Sequence, residues 1–184
     1  METFWKVTEN SFLIPECYVD TCLAEVVLQA GKKHVNHQKG NGTVAGKMQG
    51  WFKDAFCVGV IDEDRKPLDY LKEFELKISQ GNLKLWRHHS QHHYLIQLCP
   101  VIETWIMDEC SVREISLTDY GLPTELRSLL KVTKSIGAEA DERFVQLFKE
   151  MLRRKCESVT RLKSWIEHLK QYKYEADVNK LING

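Results

Sequence analysis

The sequence predicts an α/β fold, a βαβαβ parallel sheet with an added hairpin and a C-terminal helical extension. Three observations predict it. Short apolar runs alternate with amphipathic stretches over residues 11–62. "FCVGVID" at 56–62 is a near-continuous β-run of the kind found in a parallel sheet covered on both faces. From Asp141 to about Tyr172, apolar residues recur at helical spacing.

The elements follow in order. "SFLIPECYVD" opens with a strand that ends near Val19, with Pro15 suited to an edge or bulge. "TCLAEVVLQAG" reads as a helix capped by Asp20 or Thr21 and closed by Gly31. "KHVNHQK" is a short alternating strand, and Thr43 caps a second helix, "TVAGKMQGWFKDA". The third strand is "FCVGVID", which completes a right-handed α/β unit. "LKLWRHHSQHHYLIQLCP" reads as two strands around a His-rich turn, and "VIETWIMDEC" as a helix after Pro100. "SLTDYGLPTELRSLLKVTKS" supplies a helix with Thr124 near its start. Phe144, Leu147, Met151, Val159, Leu162, Trp165, Ile166 and Leu169 mark the last and longest periodic segment. The expected organisation is an α/β domain over 1–115 and a basic helical extension over 116–184 packed on it.

Composition narrows the function. The chain has 184 residues, 43% of them hydrophobic, enough for one sizeable core. Its formal net charge is zero, but the charges are unevenly placed. Residues 1–126 carry 13 Lys and Arg against 18 Asp and Glu, whereas 127–173 carry 12 against 6. A basic helical tail on an acidic body can suit a polyanion partner, though a solvated helix surface is the plainer reading of it. The six cysteines form no CxxC pair and read as buried thiols of a reducing compartment. No stretch approaches the ~20 apolar residues of a membrane span, and the start lacks a signal-peptide pattern. A cytoplasmic protein without membrane contact is expected. No GxxxxGK[ST] occurs, which argues against ATP hydrolysis by a P-loop.

In open parallel sheets the functional crevice lies outside the carboxyl ends of the strands. Asp20 and the cluster Asp62-Glu63-Asp64 stand at such ends. Asp62 and Asp64, two apart on a turning chain, can both face the crevice, with Glu63 pointing away. Oxygen ligands of this kind suit Mg²⁺ or Mn²⁺. Glu25 follows Asp20 by about a helical turn. "HQKGNG" puts His37 and Lys39 beside flexible backbone at a helix N-terminus, where a phosphate could bind. Arg65 and Lys66 could neutralise a phosphate oxygen or simply balance the acids, and Arg153 and Arg154 could track a nucleic-acid backbone.

This layout resembles the Toprim domain of topoisomerases, primases and the nucleases of the overcoming-lysogenization-defect family. Their first motif often reads "VEGxTDExxL"; "YVDTCLAEVVL" aligns with it loosely, placing Asp20 at the leading acid and Glu25 at the trailing one. "GVIDEDR" matches their DxD motif through Asp62 and Asp64. The likeness covers residues 12–75. It departs where the leading acid is Asp in place of Glu, the following Gly is Thr21, and the middle acid is Ala24. The resemblance implies a divalent-metal-dependent nuclease acting on DNA or RNA, as the effector of a bacterial anti-phage system with a partner ATPase. Asp20, Asp62 and Asp64 would hold the metal, with Glu25 and Lys39 also catalytic. The degraded first motif leaves open a catalytically silent regulatory subunit of such a complex, and a homo-oligomer is possible in either case.

"WRHHSQHHY" holds four of the seven histidines. His88 and His93 could approach across the turn and, with His37 and Glu103, line a pocket. The other reading is a polar loop rim. The five tryptophans read as core, not as a base-stacking surface.

Overall fold

A computed structural model describes residues 11–29, 35–63 and 68–182 of the chain. Its centre is a five-stranded open sheet of β1 (Leu13–Pro15), β2 (Cys57–Asp62), β3 (Phe74–Gln80), β4 (Leu83–His88) and β5 (His93–Leu98), in the order β1-β2-β5-β4-β3. β1, β2 and β5 are parallel, while β4 runs against both β5 and β3. The α/β class and the hairpin around the His-rich turn are as the sequence predicts.

Both faces of the sheet are covered. Val58 and Val60 of β2 and Tyr94, Ile96 and Leu98 of β5 enter the larger core. There they meet α1 (Tyr18–Val27), α3 (Ile102–Val112), α5 (Glu142–Arg153) and α6 (Glu157–Tyr172). The alternate residues Cys57, Ile61 and Leu95 enter a smaller core beneath α2 (Asn41–Gly50), with Val44, Ala45 and Met48. The period of two in a strand explains this division. α2 lies close on the sheet at Gly59. A Cβ there would stand 2.5 Å from Leu95 Cδ2 and 2.9 Å from Val44 Cγ1. A short helix α4 (Leu126–Thr133) packs on α3.

Several boundaries differ from the sequence expectation. β1 stops at Pro15 and α1 begins at Tyr18, so Asp20 lies in the first turn of α1 and Cys17 is its N-cap. The expected second strand, 33–39, falls partly outside the described residues. Its described part is not a strand, yet Asn36 and Gln38 donate their N–H groups to Leu13 O and Pro15 O, at 2.9 and 3.0 Å. The segment therefore runs along the free edge of β1. α2 starts from Gly40, whose φ of 94° suits glycine, and Thr43 closes that turn from inside the helix. The residue preceding α4 is Glu125, not Thr124. The long periodic segment is two helices. Lys155, at φ 53°, ends α5 in a Schellman turn, with Cys156 N–H bonding Met151 O at 2.9 Å. That left-handed position usually carries Gly, so the break gave no sequence signal.

All six cysteines are free thiols. No helix among the described residues is long and apolar enough to cross a membrane.

Candidate functional site

The carboxyl ends of β1 and β2 bring four acids together. Asp62, the last residue of β2, shares the face of Val58 and Val60 and so points towards α1 and α3. Its Oδ1 accepts the Ile102 N–H at 2.9 Å, capping the first turn of α3, which has no cap from its own N-cap residue Val101. The backbone N–H of Asp62 donates to Glu16 Oε2 at 3.0 Å. Glu103, in the first turn of α3 and buried, accepts a short hydrogen bond from the Thr133 hydroxyl of α4. Asp20 completes the group from the first turn of α1.

Asp20 is 1% exposed, and neither carboxylate oxygen has a hydrogen-bond partner of good geometry. Burial holds its carboxyl well above the ordinary range. The nearby Cys17 side chain opposes that shift in part, and Glu16 and Glu103 add to it. Burial raises Asp62 as well, reinforced by Asp20, Glu16 and Glu103 against the pull of the Ile102 amide. Burial and Asp20 also push the Cys17 thiol up. Burial and the mutual repulsion of these acids both favour the protonated form.

The other expected site residues divide. His37 and Lys39 stand at this edge, on the segment beside β1. His37 stacks on Tyr18, ring centroids 4.6 Å apart, and Lys39 Nζ lies 5.8 Å from the centre of the same ring. Glu25 is buried on α1, but five residues beyond Asp20 it is rotated by about 140° around the helix. The carboxylates that act most on Asp20 are Glu16 and Glu103. Asp64, Arg65 and Lys66 lie outside the described residues. Glu63 turns away from the acids into a close ion pair with Lys84 of β4. Arg153 and Arg154 both grip Glu150 of their own helix, and Arg154 Nη1 reaches Arg113 O, just past the end of α3. The eleven residues of α3 separate that point from the acids by about 16 Å.

The expected grouping of His37, His88, His93 and Glu103 in one pocket is not what forms. His93 pairs with Cys57 at the start of β2, whereas Asp62 ends it, about 16 Å away along the strand. His88 and His93 instead line a separate polar depression of about 210 Å³ with Tyr70, Glu73, Gln49 and Lys53. Their ring nitrogens are committed. His88 Nδ1 accepts the Ser90 and Gln91 N–H groups at 3.1 and 3.0 Å, which leaves Nε2–H for Glu73 Oε2 at 3.2 Å. His93 Nε2–H donates to Phe52 O at 2.8 Å, and Nδ1 accepts the Tyr70 hydroxyl at 2.6 Å. Among the described residues, no set of three or more His, Cys, Asp or Glu side chains is arranged to hold a metal ion.

The sequence reading missed Glu16 and Cys17. The signal was available, because both directly follow Pro15 at the end of the first apolar run. It also missed the Ile102 amide, which only the fold brings to Asp62. No family model matches the chain, and no curated protein or solved structure is similar to it.

Proposed function

We propose that the chain is a Toprim-like, divalent-metal-dependent nuclease, the effector of a bacterial anti-phage system working with a partner ATPase. The observation that carries the reading is Asp20, a fully buried carboxyl group whose two oxygens have no hydrogen-bond partner of good geometry among the described residues, beside Asp62 at the carboxyl ends of parallel strands. Burying acids without compensation costs stability, and sites that keep such a cost are commonly functional. Mg²⁺ or Mn²⁺ suits this chemistry, since hard cations take carboxylate oxygens and leave positions for water and phosphate. Asp20 and Asp62 would hold it, with Asp64 as the further ligand that the motif supplies. When bound, the ion polarises phosphoryl oxygens and offsets charge developing on them. Lys39, exposed beside the edge, would orient a phosphate by charge, and Arg65 and Lys66 follow the acids in sequence. The basic helical region, with Arg153 and Arg154, would add salt-sensitive attraction for a nucleic-acid backbone.

One observation favours a second reading, a silent regulatory subunit: Asp62 already has a structural task, capping α3 through Ile102. The experiment that separates the two incubates the protein with plasmid, tRNA and single-stranded DNA in Mg²⁺, Mn²⁺ or EDTA, with and without the ATPase of its own operon. Cleavage that needs metal and disappears in Asp62→Ala/Asp64→Ala supports the nuclease. Inactivity under every condition, with a tight complex to the ATPase, supports the silent subunit.

A further inference from the structure

The basic residues of α5 and α6 have acids at helical spacing. Arg153 and Arg154 pair with Glu150, Arg161 with Glu157, and Lys163 faces Glu167. α4 is built differently. Its Arg127 and Lys131, and Lys134 directly after it, are exposed, and among the described residues none of the three pairs with a carboxylate. Their neighbours one turn away are each other, Arg127 with Lys131 at i,i+4 and Lys131 with Lys134 at i,i+3. Like charges at these spacings weaken a helix. Arg127 also stands in the first turn, where the helix dipole favours an acid and where α4 has none. A face shaped only for water would interpose acids, as α5 and α6 do. The three cations instead fall within about 60° of arc, roughly opposite the buried Leu129 and Thr133.

This face begins at the acid edge. Thr133, beside Lys134, donates its hydroxyl to Glu103, and Glu103 acts on both Asp20 and Asp62. Past Lys134 the chain turns through Gly137, at φ 95°, into the 3-10 turn Ala138–Ala140, which packs on α1. The carboxyl end of α4 is thus fastened to both helices that carry acids of the edge, α3 with Glu103 and α1 with Asp20. From Lys134 back to Arg127 the basic face runs for about 10 Å. One strand of B-form DNA presents a phosphate about every 3.4 Å of axis, so three or four phosphates lie along that length. Three cations with no acid among them match that charge density.

We propose that the outer face of α4, through Arg127, Lys131 and Lys134, is the surface on which a nucleic-acid backbone lies as it approaches the acids. Phosphates set between the three cations relieve their mutual repulsion, and the counterions condensed on those phosphates are released. The surface rests on the nuclease reading and deepens it by naming where the substrate is held.

The test follows a fluorescein-labelled DNA duplex by anisotropy in EDTA, where a metal-dependent nuclease cuts nothing, across a KCl series, with tRNA and single-stranded DNA alongside. Arg127→Ala, Lys131→Ala and Lys134→Ala should each flatten the plot of log Kd against log salt by about one unit. The triple variant should bind on the order of 10²-fold more weakly at ~0.1 M salt. Melting temperatures should hold or rise, because alanine favours a helix and relieves the repulsion. Lys53→Ala removes one exposed cation beside His93, at the other end of the strands, and should leave the slope unchanged. A triple variant that binds as wild type does, or a Lys53→Ala loss equal to that of Lys131→Ala, overturns the α4 surface and leaves the nuclease standing. Binding that depends on α4 in a protein that cleaves nothing in Mg²⁺ or Mn²⁺, with or without the ATPase, keeps the surface and overturns the nuclease. A wild type that binds none of the three nucleic acids, with or without the ATPase, overturns both.

Discussion

At the carboxyl ends of β1 and β2, the buried ionisable groups are acids, and one of them, Asp20, has no well-formed hydrogen bond to its carboxylate among the described residues. At the other end of the same strands, His88, His93 and Tyr70 are also buried, but all four imidazole nitrogens are hydrogen-bonded. The two ends differ in satisfaction more than in polarity. A saturated network rigidifies a core, whereas an unsaturated one keeps capacity for something absent. The hydrogen bonds commit His88 and His93 to structure, and the proposed nuclease places its chemistry at the acids.

Activity gives the largest expected contrast. Asp20→Asn should lower metal-dependent cleavage on the order of 10²–10³-fold, whereas Tyr70→Phe should leave it near wild type. Equal losses in gel assays of the two variants would break the distinction. Stability should run the other way. Tyr70→Phe deprives His93 Nδ1 of its donor and should cost about 1–3 kcal/mol in urea denaturation. Asp20→Asn removes a buried carboxyl that ionises without a counter-charge as the pH rises past about 7, and should raise the melting temperature of the metal-free protein at alkaline pH.

The pH dependence sharpens the contrast, because the two ends titrate in opposite senses. The folded state holds Asp62 above its ordinary carboxylate pKa, so it binds a proton that the unfolded chain has already released. That contribution is full below about 4 and is lost progressively as the pH rises to about 9. His93 is held below 6.5, mainly by burial, so the unfolded chain binds the proton first. Its contribution is full above about 6.5 and is lost as pH falls. Melting curves of the metal-free protein from pH 5 to 9 should therefore decline on the alkaline side less in Asp62→Asn, and on the acid side less in His93→Phe. Unchanged slopes in both would remove the titration argument. The smallest effect belongs to the basic helices. Arg153→Ala should not move the melting temperature measurably, since its pair with Glu150 is solvent-exposed. If this region contacts a nucleic-acid backbone, the salt dependence of binding should shrink by about one unit of slope.

How much of this was legible in the sequence differs between the ends. The β-run from Phe56 to Asp62 and the hairpin around the histidines were readable, because strand length and alternation are local. So was the meeting of Asp20 and Asp62 at one sheet edge, which follows from parallel topology. The commitment of the histidines was not. It depends on Tyr70, Phe52 and Glu73, which reach them from other elements. β3 also went unread, although "FELKISQ" alternates Phe74, Leu76 and Ile78 with Glu75, Lys77 and Ser79, a period of two that was open to reading in the sequence. Glu25 was placed by sequence spacing alone, and helix rotation carries it away from Asp20.

Gly59 has a mechanical consequence. The helix above it rests on bare backbone, so α2 behaves as a beam about 15 Å long lying on a fulcrum near its middle. The end of that beam is Gly40, where the segment bearing His37 and Lys39 joins. Any side chain inserted beneath the beam lifts or tilts it, and the displacement grows towards its ends. The alignment of the sheet edge is thus held by an omission about 10 Å inside the strand, at a residue with no functional group of its own.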